Sequence, residues 1–258
     1  VELNLKNKLY LVTGASSGFG AAVAKALLAE RAKVLVNARR EEELIKMTNI
    51  APGQIEYLAG DVTQFDVQDD LFKMLGDRKL EGAFINAGGP PAKGVLETQD
   101  SDWDEAYRSL LRWKVRMSKI LVNSFIKNGG GKLLFLESIS VKQPVTNLVL
   151  SNSMRMAVVG FVKTFADEVG DKGISMNIIA PGYHDTAAMQ RIIKKKAETN
   201  QISYSAAKDM IENEVKTGKM GNPKDLASLV VWLFSEHADY ITGQTISVDG
   251  GLVKGAFG

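Results

Sequence analysis

The chain of 258 residues contains no cysteine and only two histidines, His184 and His237. The first absence excludes disulfides, thiolate metal sites and a cysteine nucleophile; the second leaves too few imidazoles for a multi-histidine metal centre. Neither sign of charge is in excess. The formal net charge of +2 offers no electrostatic footprint for nucleic acid. No apolar run approaches the roughly 20 residues that cross a bilayer. Val1-Glu2-Leu3-Asn4-Leu5-Lys6 lacks the apolar core and cleavage site of a signal peptide. Repeats, linkers and low-complexity tracts are missing too. The expectation is a soluble cytoplasmic protein that uses no metal, nucleic acid or membrane.

What is present is an α/β rhythm. Apolar, β-rich runs at Leu9–Thr13, Lys33–Asn37, Ile55–Ala59, Gly82–Asn86, Lys132–Glu137, Ser175–Ala180 and Thr245–Val248 read as strands. Most are continuously apolar, as parallel strands covered on both faces should be. Helical patterns at Gly18–Arg31, Glu41–Thr48, Val67–Leu75, Asp102–Lys127, Asn152–Gly170 and Leu226–Ser235 lie between them. Strand, crossover helix and parallel strand in this succession predict a doubly wound Rossmann-type sheet of about seven strands with helices on both faces. A single domain spanning 1–258 is expected. The one interruption is a polar, helix-prone insertion over 187–220 that leaves a strand at its C-terminal end, where open α/β sheets bind ligands.

The first strand runs into Thr13-Gly14-Ala15-Ser16-Ser17-Gly18-Phe19-Gly20. Glycines 14, 18 and 20 permit a tight turn, close backbone approach to a diphosphate, and close helix–sheet packing. The unpaired N–H groups of the following helix complete an anion site. Position after a strand and before a helix is the context such a glycine pattern needs.

With Asn86-Ala87-Gly88, Gly60-Asp61-Val62, Pro181-Gly182 with Thr186, and Gly243-Gln244 with Asp249-Gly250-Gly251, this turn resembles the short-chain dehydrogenase/reductase family. Within it the chain is similar to 3-oxoacyl carrier-protein reductases. The markers run in family order from residue 9 to 251. The resemblance implies that Asp61 and Val62 hold an adenine, that Asn86, Ala87 and Gly88 line the cofactor cleft, and that Pro181, Gly182 and Thr186 sit near a nicotinamide. The position that carries an acid in NAD-selective members is Ala38, followed by Arg39 and Arg40. A guanidinium there suits a 2′-phosphate, so NADP(H) is the cofactor expected.

The catalytic positions depart from the pattern. Ser138 fits the family serine, which orients a substrate carbonyl. The family tyrosine, the acid or base, falls at Ser151, and its lysine falls at Arg155; the upstream asparagine falls at Leu110. An aliphatic hydroxyl is a far weaker acid than a phenol, and a guanidinium does not give up its proton. Two readings stay open: an NADP(H)-dependent oxidoreductase acting on a carbonyl or alcohol through Ser138, Ser151 and Arg155, or an NADP(H)-binding sensor or assembly protein with little turnover. Arg155 gripping a ligand carboxylate or phosphate is a third use of that charge.

Tyr204 and Lys208 match Tyr-x-x-x-Lys in letters but lie inside the insertion, after Pro181-Gly182, and read as a decoy behind the N-cap Ser203. His184, titrating near neutrality, and Tyr183 follow Pro181-Gly182 and are alternative proton donors. Glu137 is expected on the strand face opposite Ser138. Lys194-Lys195-Lys196 reads as a solvated helix face, or as a contact for an acidic carrier protein or coenzyme A phosphate. The resemblance implies a homodimer or homotetramer through the helices around 102–127 and after Ser151, with the apolar tail 251–257 as a further docking element.

Overall fold

The computed structural model describes residues 1–256; Phe257, at the tip of the apolar tail, and Gly258, the last residue of the expected domain, lie outside them. The strands are β1 (Leu9–Thr13), β2 (Lys33–Ala38), β3 (Ile55–Ala59), β4 (Leu80–Ile85), β5 (Gly131–Leu136), β6 (Ile174–Pro181) and β7 (Thr245–Val248). All pair in parallel in one sheet of order β3-β2-β1-β4-β5-β6-β7. The order reverses between β1 and β4, and a crevice opens there at the strands' C-terminal ends.

Helices cover both faces because the central strands are apolar on both. On one face α1 (Gly18–Ala29), α2 (Glu41–Thr48) and α9 (Pro223–Phe234) bury Val23, Leu27, Leu44, Val230 and Phe234 against Val12, Val36 and Leu134. On the other face α3 (Phe65–Leu75), α5 (Trp113–Asn128) and α6 (Val149–Val169) bury Leu71, Trp113, Leu121, Phe125 and Val162 against Leu11, Leu133 and Phe135. The alternation along β5, Leu134 to one core and Leu133 and Phe135 to the other, is the strand's two-residue period.

Three helical regions differ most from the sequence expectation, the other elements shifting by at most two residues at their ends. The long helix is broken: α4 (Asp100–Tyr107) meets α5 through a wide π-type turn over Arg108–Arg112. Its apolar spacing continues across the break, so periodicity alone does not reveal it. The helix α9 starts at Pro223 because Asn222 caps it and Pro223 is preset for the first helical position. The helix α6 begins at Val149, so Ser151 is already helical.

The insertion holds α7 (Ala187–Asn200) and α8 (Tyr204–Glu212). These bury Ile193, Ala197, Ala207, Ile211 and Met220 in a small apolar cluster of their own. No helix among the described residues is long and apolar enough to cross a membrane.

Candidate active site

At the sheet's reversal point, Thr13 ties β1 to β4. Its Oγ1 accepts from the Asn86 backbone N–H at 2.8 Å and donates to the Asn86 carbonyl at 2.7 Å. The chain then turns through Gly14, whose φ of +63° favours glycine and whose added Cβ would lie 2.9 Å from the Asn86 carbonyl. Gly20 packs against the Gly14 carbonyl, leaving a side chain only 2.3 Å. Gly18, with φ +55°, faces the Thr186 side chain across the crevice. The first turn of α1 contains no acidic residue, and Ser17 at its N-cap makes no side-chain hydrogen bond to it. Its N–H groups therefore stay unclaimed by side chains, and they fit a diphosphate.

The remaining expected cofactor residues lie at the C-terminal rim of the sheet, at or just past the ends of β2, β3, β4 and β6. Ala38 ends β2 and is buried, with no acid at that position. Arg40 lies across the turn, donating to the Ser16 hydroxyl at 3.2 Å and to its carbonyl at 3.2 Å, while Arg39 is exposed. Asp61 accepts from the backbone and hydroxyl of Thr63, and Val62 is buried beneath the rim. Pro181 ends β6, and Gly182 approaches Asp249 too closely for any side chain, its Cβ position being 2.8 Å from the Asp249 Cα. Thr186 caps α7 by accepting from the Met189 N–H. Asn86, Ala87 and Gly88 follow β4 directly, and Phe19 is edge-on to His184 at 5.0 Å.

Two candidate catalytic residues, Ser151 and Arg155, are joined by contacts that run on to Glu137, the sequence neighbour of the third, Ser138. Arg155 Nε donates to Ser151 Oγ one helical turn earlier, at 3.0 Å, and Arg155 Nη1 donates to Glu137 Oε2 at 2.8 Å. Ser138 follows Glu137, and its Oγ accepts from the Ser140 N–H at 3.1 Å. Both serine hydroxyls thus accept a hydrogen bond from the protein, which leaves each O–H proton free to donate. Arg155 Nη2 reaches the loop after β4, where a Cβ on Gly89 would sit 3.2 Å from it.

Glu137 and Lys114 are the residues that the sequence reading missed. Glu137 does continue the face of Leu133 and Phe135, but that face carries α5 and α6, so its carboxylate ends beneath the site rather than away from it. Its other oxygen is bonded by Lys114 Nζ, and neither side chain has more than 2% exposure. Burial lowers the Lys114 pKa, against the opposing pull of Glu137. The signal in the sequence was a lone lysine at helical spacing with Met117, Ser118, Leu121 and Phe125, all of them buried.

The other proton-donor candidates are occupied elsewhere. His184 is buried, its Nδ1 bonded to the Gly182 carbonyl at 3.1 Å, and burial lowers its pKa. The Tyr183 hydroxyl bonds Glu214 at 3.1 Å, and burial and that carboxylate push its pKa up to about 12. Tyr204 is exposed on the first turn of α8, with Lys208 turned towards Glu212. Among the described residues no cluster of His, Cys, Asp or Glu could hold a metal.

Known proteins are similar to this chain along almost its whole length. A family model described as enoyl-(acyl carrier protein) reductase matches residues 14–253. Dehydrogenase/reductase SDR family member 4 of Sus scrofa is 28% identical over 97% of this chain and 88% of its own. A 3-oxoacyl-[acyl-carrier-protein] reductase of Vibrio harveyi is 28% identical over 97% and 99%. L-Sorbose reductase from Gluconobacter frateurii, solved with NADPH and L-sorbose, superposes with a TM-score of 0.93 at 26% identity, covering 99% of this chain and 100% of that one. With the family model running from the glycine turn to beyond the final Asp249-Gly250-Gly251, the chain belongs to the short-chain dehydrogenase/reductase family.

Proposed function

We propose that the protein is an NADP(H)-dependent oxidoreductase that moves hydride between the nicotinamide and a carbonyl or alcohol substrate. The observation that carries this reading is the Gly14 turn, closed on Asn86 with the α1 N–H groups unclaimed and Arg40 laid over Ser16. Arg39 and Arg40 hold the 2′-phosphate, where an NAD-selective site would carry an acid. Asp61 and Val62 flank the adenine, and Asn86, Ala87, Gly88, Pro181, Gly182 and Thr186 flank the nicotinamide half. NADPH-bound relatives of the same fold support the choice: the sorbose reductase above and an actinorhodin polyketide ketoreductase variant at 27% identity and TM-score 0.89.

When bound, the nicotinamide supplies the hydride. The protein's part is to hold the substrate oxygen and the charge that gathers on it. The hydroxyls of Ser138 and Ser151 donate to that oxygen, and the Arg155 guanidinium lies within one hydrogen bond of Ser151. No phenol stands at position 151, so the proton comes from water in the cleft. The chain works as one domain, with 187–220 covering the cleft. It assembles as a homodimer or homotetramer through α5 and α6, whose outer faces form an apolar groove with Val122, Ile126, Phe161 and Phe165.

The test is NADPH oxidation with ketones, aldehydes and 3-oxoacyl thioesters. Turnover that falls about 100-fold in Ser138→Ala, the usual loss on removing one oxyanion donor, supports the reading. Tight NADPH binding with no turnover on any of them overturns it in favour of a cofactor-binding sensor, the reading that Ser151 and Arg155 otherwise favour. An unchanged NADPH dissociation constant in Arg39→Ala refutes Arg39 as a 2′-phosphate ligand.

A further inference from the structure

The buried contacts beneath the site form an ordered set: Lys114 Nζ on Glu137 Oε1, Glu137 Oε2 on Arg155 Nη1, and Arg155 Nε on Ser151 Oγ. Exposure rises along it, from at most 2% for the Lys114 and Glu137 side chains to 12% for Arg155. A carboxylate and a guanidinium left to themselves prefer a two-pronged fork, with both oxygens bonded by two N–H groups of the same arginine. Here the fork is absent. Lys114 occupies the second oxygen, so Glu137 engages Arg155 through one nitrogen only.

That restriction decides what Arg155 has left. A fork through Nη1 and Nη2 would withdraw Nη2 from the loop at Gly89; one through Nε and Nη would release the Ser151 hydroxyl. With one prong, Nε stays on Ser151 and Nη2 stays at the loop after β4.

We propose that Lys114 is a positioning residue that blocks the Glu137–Arg155 fork and so keeps Arg155 aimed at Ser151 and the cleft. The proposal rests on the hydride-transfer reading of the site. It assigns to a lysine that does not reach the cleft the task of setting the geometry of two side chains that do. It also explains why two cations share one buried carboxylate. A single cation would satisfy the charge of Glu137, but only the pair divides its two oxygens between different side chains.

The substitution Lys114→Met tests this in a protein that still folds, because Glu137 keeps Arg155 as its counter-ion and methionine matches the apolar stem. The melting temperature should stay within about 4 °C of wild type. With Glu137 Oε1 released, the fork closes: kcat falls about ten- to a hundredfold, the loss typical of a displaced catalytic group, while the substrate KM moves far less. The decisive variant is Lys114→Met with Glu137→Gln. An uncharged amide offers one acceptor oxygen and cannot form the fork, so removing the second charge restores part of the lost kcat.

A merely structural lysine gives the opposite order, with the double variant no better than the single. That result, or a Lys114→Met enzyme with wild-type kcat, overturns the proposal. If the wild-type protein binds NADPH but oxidises it with none of the ketones, aldehydes or 3-oxoacyl thioesters, the hydride-transfer reading fails instead. A crystal structure of Lys114→Met then still decides the positioning: both Glu137 oxygens on Arg155 support it, and an unmoved Glu137 refutes it.

Discussion

Replacing Gly14 by alanine should weaken both the fold and the grip on NADPH, and the structure sets the size of the effect. At φ +63° an alanine carries the left-handed penalty of about 1–2 kcal/mol. Its Cβ would also stand 2.6 Å from Asn86 Nδ2 and 2.9 Å from the Asn86 carbonyl. The amide can swing away, but the carbonyl is fixed by the Thr13 hydroxyl, and moving it sacrifices one or two hydrogen bonds of about 0.5–1.5 kcal/mol each. The total is about 1.5–5 kcal/mol. Gly53 supplies the control, since its φ is +78° and nothing lies within 4 Å of an added Cβ. The gain from stiffening the unfolded chain is common to both substitutions and cancels in their comparison. Urea denaturation should therefore show Gly14→Ala less stable than Gly53→Ala by at least about 0.5 kcal/mol. Fluorescence titration should show NADPH affinity reduced about tenfold or more in the first and unchanged in the second, since tenfold needs only about 1.4 kcal/mol of distortion in the turn. Equal losses from the two variants would refute the close approach of Gly14 to Asn86 as the reason for glycine there.

The buried imidazole of His184 makes a pH prediction. Its folded pKa is lowered by burial, so the native state keeps it neutral while the unfolded chain takes up a proton below about pH 6.5. The stability it contributes is complete above that pH and is lost as pH falls towards the lowered folded value. His184→Asn should show a shallower loss of urea midpoint between about pH 7 and pH 5, and an unchanged slope would contradict the assignment. Tyr204→Phe should leave kcat as it is, because that phenol is exposed on α8; a large loss would bring the insertion's Tyr-x-x-x-Lys letters back into the chemistry.

The glycine turn after β1 was legible because its signals are local. Glycines 14, 18 and 20 sit at fixed spacing behind an apolar strand, and the backbone approaches they permit are those that the structure shows at Asn86 and at the Gly14 carbonyl. The pairing of Ser151 with Arg155 was legible too, since residues four apart share a helix face. The support beneath them was not. Glu137 and Lys114 are 23 residues apart on different elements, and neither position alone points to the other. Only the packing of α5 and α6 on one face of β5 makes them neighbours. The break at Arg108–Arg112 was hidden for a related reason: one wider turn barely disturbs an apolar period that both flanking helices obey.

The small cluster formed by Ile193, Ala197, Ala207, Ile211 and Met220 gives the 187–220 segment an interior separate from the two cores of the sheet. Such a segment opens and recloses as a cooperative unit at less cost than global unfolding, so its amides should exchange with solvent ahead of those in β1 and β4. It also separates two kinds of inheritance. On the proposed reading, in which 187–220 covers the cleft, substitutions in that minor interior reshape what enters while the proposed nucleotide-binding strand ends stay as they are, so new substrates would not require rebuilding that half of the site.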